Sequence, residues 1–120
     1  MPKEYSRSRR VAELVQRELA VLIPKYLLDT DVGLVTVSNV DVSPDLKNAR
    51  VCITSIGNTI KNDEVADRLN ELAGQFRHDL SRLIIMRSVP RLHFEFDHAL
   101  ERANRLTALI DSLKSGKPAD

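Results

Sequence analysis

Apolar residues recur at steps of three and four from Val11 to Tyr26, through Leu14, Val15, Leu19, Leu22 and Ile23. That spacing gathers them on one helical face, while Arg10, Glu13, Arg17 and Glu18 fall outside the stripe. Ser6 or Ser8 can cap this helix, because a serine oxygen accepts from the unpaired amides of a first turn. Pro24 interrupts the pattern. A proline inside a helix deletes one backbone bond and crowds the preceding turn, at about 3 kcal/mol. The helix is therefore expected to kink or stop near Ile23, with Asp29-Thr30-Asp31 and Gly33 as the exit loop.

The period then shortens. Leu34 to Val42 is rich in β-branched residues and reads as a strand. Val35 and Val37 share one parity, and Val40 and Val42 share the other. A bulge of one residue near Ser38-Asn39 returns both pairs to one face; the alternative is a strand buried on both sides. Ser43-Pro44-Asp45 is a turn signal. The link is short, so Ala49 to Ile56 is expected to return as the second arm of an antiparallel hairpin. Its Ala49, Val51 and Ile53 face one way, and Arg50, Cys52 and Thr54 the other.

Gly57-Asn58-Thr59 opens a loop, and Asn62 can cap the helix that follows, with Asp63 and Glu64 at its positive end. Val65, Leu69, Leu72, Phe76, Leu80 and Leu83 keep helical spacing across Gly74. An interior glycine costs about 1 kcal/mol relative to alanine. Gly74 is thus either tolerated with a modest bend or marks a joint between two shorter helices. Ser88-Val89-Pro90 ends the helical stretch. Leu92, Phe94 and Phe96 alternate with His93, Glu95 and Asp97, the cleanest strand pattern in the chain. Asp97 can cap a last helix to about Leu113, with Leu100, Ala103, Leu106, Thr107 and Ile110 as its inner side, and Gly116-Lys117-Pro118 closes it. Three strands among long helices predict a single α+β domain, with helices packed on one sheet face. The domain is expected over residues 1–115, followed by a short tail over 116–120.

The chain has 120 residues, 42% of them hydrophobic and 29% charged, enough to build one core and too apolar for a disordered chain. No apolar run approaches the roughly 18 residues of a membrane span. The longest candidate, Leu83 to Met86, is cut off by Arg87. The N-terminus opens Met1-Pro2-Lys3-Glu4 without an apolar signal region, and Cys52 is the single cysteine. A reducing cytoplasm is the expected setting.

A net charge of +1 hides an uneven distribution. Residues 1–30 carry +2, 31–67 carry −3, 68–91 carry +3 and 92–120 carry −1. Arg7, Arg9 and Arg10, with Lys3, oppose one acid in the first ten residues; Arg77, Arg82, Arg87 and Arg91 follow Gly74. Arginine presents planar donors that match phosphate oxygens. Two such sets favour a nucleic-acid backbone as partner. Aromatics are only 4% of the chain, and Phe94 and Phe96 alternate as core, so shape and phosphate are expected to be read rather than stacked bases.

Catalysis has one candidate cluster: His93, Glu95, Asp97 and His98. The first three share a strand face, with neighbours about 7 Å apart at a rise of about 3.3 Å per residue. They could bind a metal or pair a base with its orienter, but the pattern equally describes the wet side of an amphipathic strand. Cys52 has no partner motif and reads as a small filler, and no glycine-rich phosphate loop is present.

The stretches SRSRRVAELVQRELAVLI, GLVTVSNVDVSPDLKNARVCITSIG and ELAGQFRHDLSRLIIMRSVPRLHFEFDHAL resemble ribosome-binding factor A, in order and at family-like spacing over roughly residues 5 to 110. The resemblance implies a KH-like domain of type II, in the order α-β-β-α-α-β, followed here by a C-terminal helix. It implies a non-enzymatic bacterial cytoplasmic factor that binds the small ribosomal subunit and assists maturation of its RNA. It needs no cofactor, and a chain of this size is expected to be a monomer. The Gly-x-x-Gly loop of KH domains is incomplete in Gly74-Gln75-Phe76-Arg77. The family's Ala-x-Gly joint falls on Leu72-Ala73-Gly74, where Gly74 matches and Leu72 departs. Arg7, Arg9, Arg10, Arg77, Arg82 and Arg87 are the RNA-binding candidates. A protein–protein adaptor using the acidic segment 31–67, without direct RNA contact, is the alternative.

Overall fold

A computed structural model describes residues 7–27, 31–84 and 88–114, without the side chains of Leu100, Glu101 and Asn104. The order is α1 (Arg7–Leu27), β1 (Leu34–Val42), β2 (Asn48–Ile56), α2 (Asn62–Glu71), α3 (Ala73–Leu83), β3 (Arg91–Phe96) and α4 (His98–Lys114). The expected α+β class and element order are what form. Arg87, Ser6, Asp29-Thr30 and Gly116-Lys117-Pro118 lie outside the described residues.

β1 and β2 pair antiparallel, and β2 pairs parallel with β3, giving the order β1-β2-β3. A parallel pair needs a long crossover; α2 and α3 supply it. The β1–β2 register slips between Val37 and Asn39, which is the bulge that the valine parity requires. As a result Val37 and Val40 are both buried on the helix-covered face. The turn is closed by Asp45, whose Oδ1 accepts from the Ser43 hydroxyl at 2.6 Å and the Lys47 amide at 3.0 Å. At the far end of the hairpin, Gly33 has φ +74°, and a Cβ there would sit 2.5 Å from the Ile56 carbonyl oxygen. Only glycine fits that approach.

The core lies between the sheet and α1, α2 and α3. Val15 and Leu19 of α1, Val51 and Ile53 of β2, and Leu69, Phe76, Leu80 and Phe94 are each at most 1% exposed. Phe76 stacks edge-on against both Tyr26 and Phe94, with ring centroids 5.4 and 5.7 Å away. At the outer edge of β3, the Asn70 side chain accepts from the Phe94 amide at 2.7 Å and donates to its carbonyl at 2.9 Å. An α2 side chain thereby takes the hydrogen bonds that a fourth strand would otherwise seek.

The structure corrects several expectations. Of the kink or stop expected near Ile23, the stop does not occur, and α1 runs through Pro24 to Leu27. Ala20 and Pro24 both sit on the exposed side, so the carbonyl that loses its amide partner meets water. Continuing the helix keeps Ile23 and buries Leu27, at 2% and 8% exposure. Each such burial contributes about 1.5–3 kcal/mol, enough together to offset the proline.

Asn62 is not the cap of α2 but its first residue, behind Lys61. The Lys61 amide donates to Glu64 Oε1 at 3.2 Å, and Asn62 Oδ1 accepts from Asn58.

The largest correction is α4. Its expected inner residues Ala103, Leu106, Thr107 and Ile110 are exposed, Leu106 by 58% and Ile110 by 43%. The covered sheet face is already filled by α1, α2 and α3, and the opposite face carries Arg50, Thr54, His93 and Glu95 with an exposed Leu34–Ile56 pair at one end, so among the described residues the α4 stripe is left uncovered. The helix is anchored at its start, where His98 Nε2 lies 2.8 Å from Asp63 Oδ1. No helix among the described residues is long and apolar enough to cross a membrane.

Candidate nucleic-acid interface

The two basic sets lie far apart in sequence, and the topology brings members of both to one end of the sheet. β1 finishes there, the β1–β2 turn crosses it, and β2 and β3 both start there because they run parallel. Arg9, in the first turn of α1, lines a cavity of about 360 Å³ with Asn39, Asp41 and Val42 of β1. On the β3 side, Lys47, Arg77 and Arg91 converge on a cavity of about 320 Å³ with Asn48, Ser88 and Val89. A further cavity of about 340 Å³ lies beside it, sharing Arg77 and Val89 and reaching Gly74, His78 and Ser81.

Arg77 is held by its Nε, which donates to the Val89 carbonyl at 2.9 Å. Its Nη donors face no carboxylate among the described residues. The backbone beneath is equally fixed, since the Arg91 amide donates to the Lys47 carbonyl at 2.9 Å. Lys47, Arg77 and Arg91 are exposed, and none forms an ion pair among the described residues. Arg50 contrasts with them: on the outer sheet face it lies 3.5 Å from Asp41 and 4.0 Å from Glu95. Asp45, in the turn beside Lys47, is held below the usual carboxylate range by the Ser43 hydroxyl and the Lys47 amide.

Of the residues expected from sequence, Arg7, Arg9 and Arg10 are exposed in the first turn of α1. Asp41, which pairs with Arg50, also lines the cavity of Arg9, so that cavity is less strongly basic than the one at Arg77. Arg77 sits at the centre of the second cluster. Arg82 is exposed in the last turn of α3 and lines neither cavity there. Lys47 was missed, because it belongs to the acidic segment 31–67 and window charge hides it. Knowing that β3 runs parallel to β2 was the signal needed to find it.

Of the expected joint Leu72-Ala73-Gly74, the helix breaks at Leu72, with φ −99° and ψ 5°, and Ala73 and Gly74 lie in the first turn of α3. Gly74 is exposed, and a Cβ there would meet nothing within 4 Å. Its surroundings leave room for a close approach.

The candidate catalytic cluster disperses. His93 lies 3.6 Å from Glu95, Glu95 reaches toward Arg50, and Asp97 accepts from the Ser38 hydroxyl at 2.7 Å. His98 turns away to Asp63. Among the described residues no group of three or more His, Cys, Asp or Glu side chains is placed to hold a metal ion. Burial pushes the half-buried Cys52 thiol up, away from the reactive thiolate.

Comparison with known proteins gives a consistent result. The sequence model of ribosome-binding factor A matches residues 7–110. The ribosome-binding factor A of Nitrosococcus oceani is 49% identical over 111 residues, covering 92% of this chain and 87% of that protein. That of Thioalkalivibrio sulfidiphilus is 43% identical, covering 92% and 86%. The crystal structure of ribosome-binding factor A from Thermus thermophilus superposes with a TM-score of 0.63 at 25% identity, over 73% of this chain and 93% of that one. A homology model of the same organism's factor, fitted into the map of a 30S complex, gives 0.58 at 21% identity, over 79% and 97%.

Proposed function

The chain belongs to the ribosome-binding factor A family, and from that premise we propose that it is a non-catalytic, cytoplasmic assembly factor of the small ribosomal subunit that assists maturation of the subunit's RNA. The observation that carries this reading is the gathering of Arg9, Lys47, Arg77 and Arg91 at the turn end of the sheet, three of them without a carboxylate partner among the described residues. Arg7 and Arg10, exposed in the first turn of α1, and Arg82, exposed in the last turn of α3, add to this charge, and Arg87 is a further RNA-binding candidate by sequence. The fold supplies a rigid frame, and its cations dock on phosphates of folded RNA.

A factor of this kind acts by differential affinity. It shifts RNA toward one arrangement only by the difference in its binding to the two. A monomeric domain over residues 1–115 suffices for that task.

Co-sedimentation with separated ribosomal particles tests the reading. The protein is expected to travel with the small subunit at low salt and to leave it as salt rises, since phosphate contacts release counterions. Replacing Arg77 and Arg82 together with Gln should weaken binding and flatten its salt dependence. Absence from the small-subunit fraction at low salt rejects the proposal. Retention of a partner after RNase treatment points instead to an adaptor.

A further inference from the structure

We propose that Lys47, Arg77 and Arg91 form one phosphate pocket, which grips a single phosphodiester of the RNA backbone; this rests on the assembly reading above. Three cations from three separate elements converge on a cavity of about 320 Å³, and no carboxylate among the described residues lines it. Its size is at the low end for ligand sites, enough for a phosphate with its sugar and too small to enclose a stacked base pair. Lys47 comes from the β1–β2 turn, Arg91 from the start of β3 and Arg77 from α3.

Like charges are brought together here on a fixed scaffold. The Arg91 amide is bonded to the Lys47 carbonyl at 2.9 Å, and Arg77 Nε to the Val89 carbonyl at 2.9 Å. The guanidinium of Arg77 is therefore oriented before any ligand arrives, and ordering costs less on binding. Water and salt screen these exposed charges only in part, and a bound phosphate would offset their mutual repulsion directly. The neighbouring cavity of about 340 Å³ shares Arg77 and Val89, so the track continues past the pocket. A continuing track suits a polymer backbone better than an isolated ion.

The test uses the full chain and the triple variant Lys47→Gln, Arg77→Gln, Arg91→Gln, with Arg17→Gln as control. All four side chains are exposed, so the variants should fold, and circular dichroism is the check on that. Small-subunit binding should weaken about 10–100-fold in the triple variant, the scale of lost hydrogen bonds to a charged group. The slope of log affinity against log salt should fall by roughly 1, for one phosphate contact. The control should match the wild type in both.

A second arm follows the amides of Asn48, Ser88 and Arg91 by NMR. They should shift with a short RNA duplex in the wild type and stay still in the triple variant. Amides that do not respond to RNA overturn the pocket. An equal response to inorganic phosphate at the same phosphate concentration makes it a free-anion site and overturns the RNA assignment. If wild type and triple variant bind subunits equally and with one slope, the pocket falls and the assembly reading stands. If the amides respond to RNA but the wild type does not bind subunits, the pocket stands and the assembly reading falls.

Discussion

α1 and α4 are both long helices with an apolar stripe, and only one of them is buried. In α1, Val15, Leu19, Leu22 and Ile23 are at most 3% exposed. In α4, Leu106, Leu109, Ile110 and Leu113 are between 43% and 64% exposed. α1 carries a proline in its last turns and still stays helical; α4 has no such defect and still stays unpacked. Amphipathicity states which side of a helix could be buried. Burial itself needs an apolar surface to receive that side, and among the described residues the sheet face that does so is the one beneath α1, α2 and α3.

The sharpest way to break this contrast is to truncate both stripes. Leu19→Ala should destabilise the protein by about 2–5 kcal/mol, through lost transfer energy and a cavity. Leu106→Ala should stay within about 0.5 kcal/mol, as surface changes do. Denaturant unfolding measures both, and equal losses would mean that α4 packs in solution. A smaller effect is expected at Pro24. Pro24→Ala restores the missing backbone bond, offset in part by a freer unfolded chain, and should stabilise by about 1–2 kcal/mol in the same assay.

The smallest effect concerns the polar tie that holds the end of α1 to α3. The Tyr26 hydroxyl donates to Asp79 Oδ2, and Gln75 Nε2 donates to Asp79 Oδ1 at 3.1 Å. The Tyr26 hydrogen bond holds Asp79 below the usual carboxylate range, and the same bond raises Tyr26. A depressed carboxylate contributes stability above its unfolded value of about 3.9 and loses it as pH falls through the lower folded value. A raised tyrosine contributes below about 10 and loses it as pH rises through the folded value. Melting temperature against pH should therefore show a gap between wild type and Asp79→Asn over about pH 4–10 that narrows at both extremes. A gap independent of pH would refute the tie.

Much of the fold was legible because side-chain period reports local geometry directly. The bulge at Ser38 followed from the parity of four valines, and the alternation at Leu92, Phe94 and Phe96 identified β3. Pro24 misled because its intrinsic cost is local, while the burial that offsets it comes from residues distant in sequence. Leu72 and Gly74 show a finer version. Glycine marked the region of the joint, but the break fell two residues earlier, between helices that both pack on β3 while α2 also meets β2 and α3 also meets α1. The site was half legible. Arg9 and Arg77 stood out by local charge. Lys47 did not, since its acidic surroundings in sequence are not its surroundings in space.

The amino-acid sequence alone determined the element order, the hairpin, the core face of each strand and the family, because these depend on spacing along one chain. Tertiary structure alone decided that α1 passes through its proline, that α4 is left uncovered among the described residues, and that Lys47 joins Arg77 and Arg91. Those outcomes depend on which surfaces meet. The parallel pairing of β2 with β3 sets two strand starts side by side, and no window of consecutive residues contains that fact.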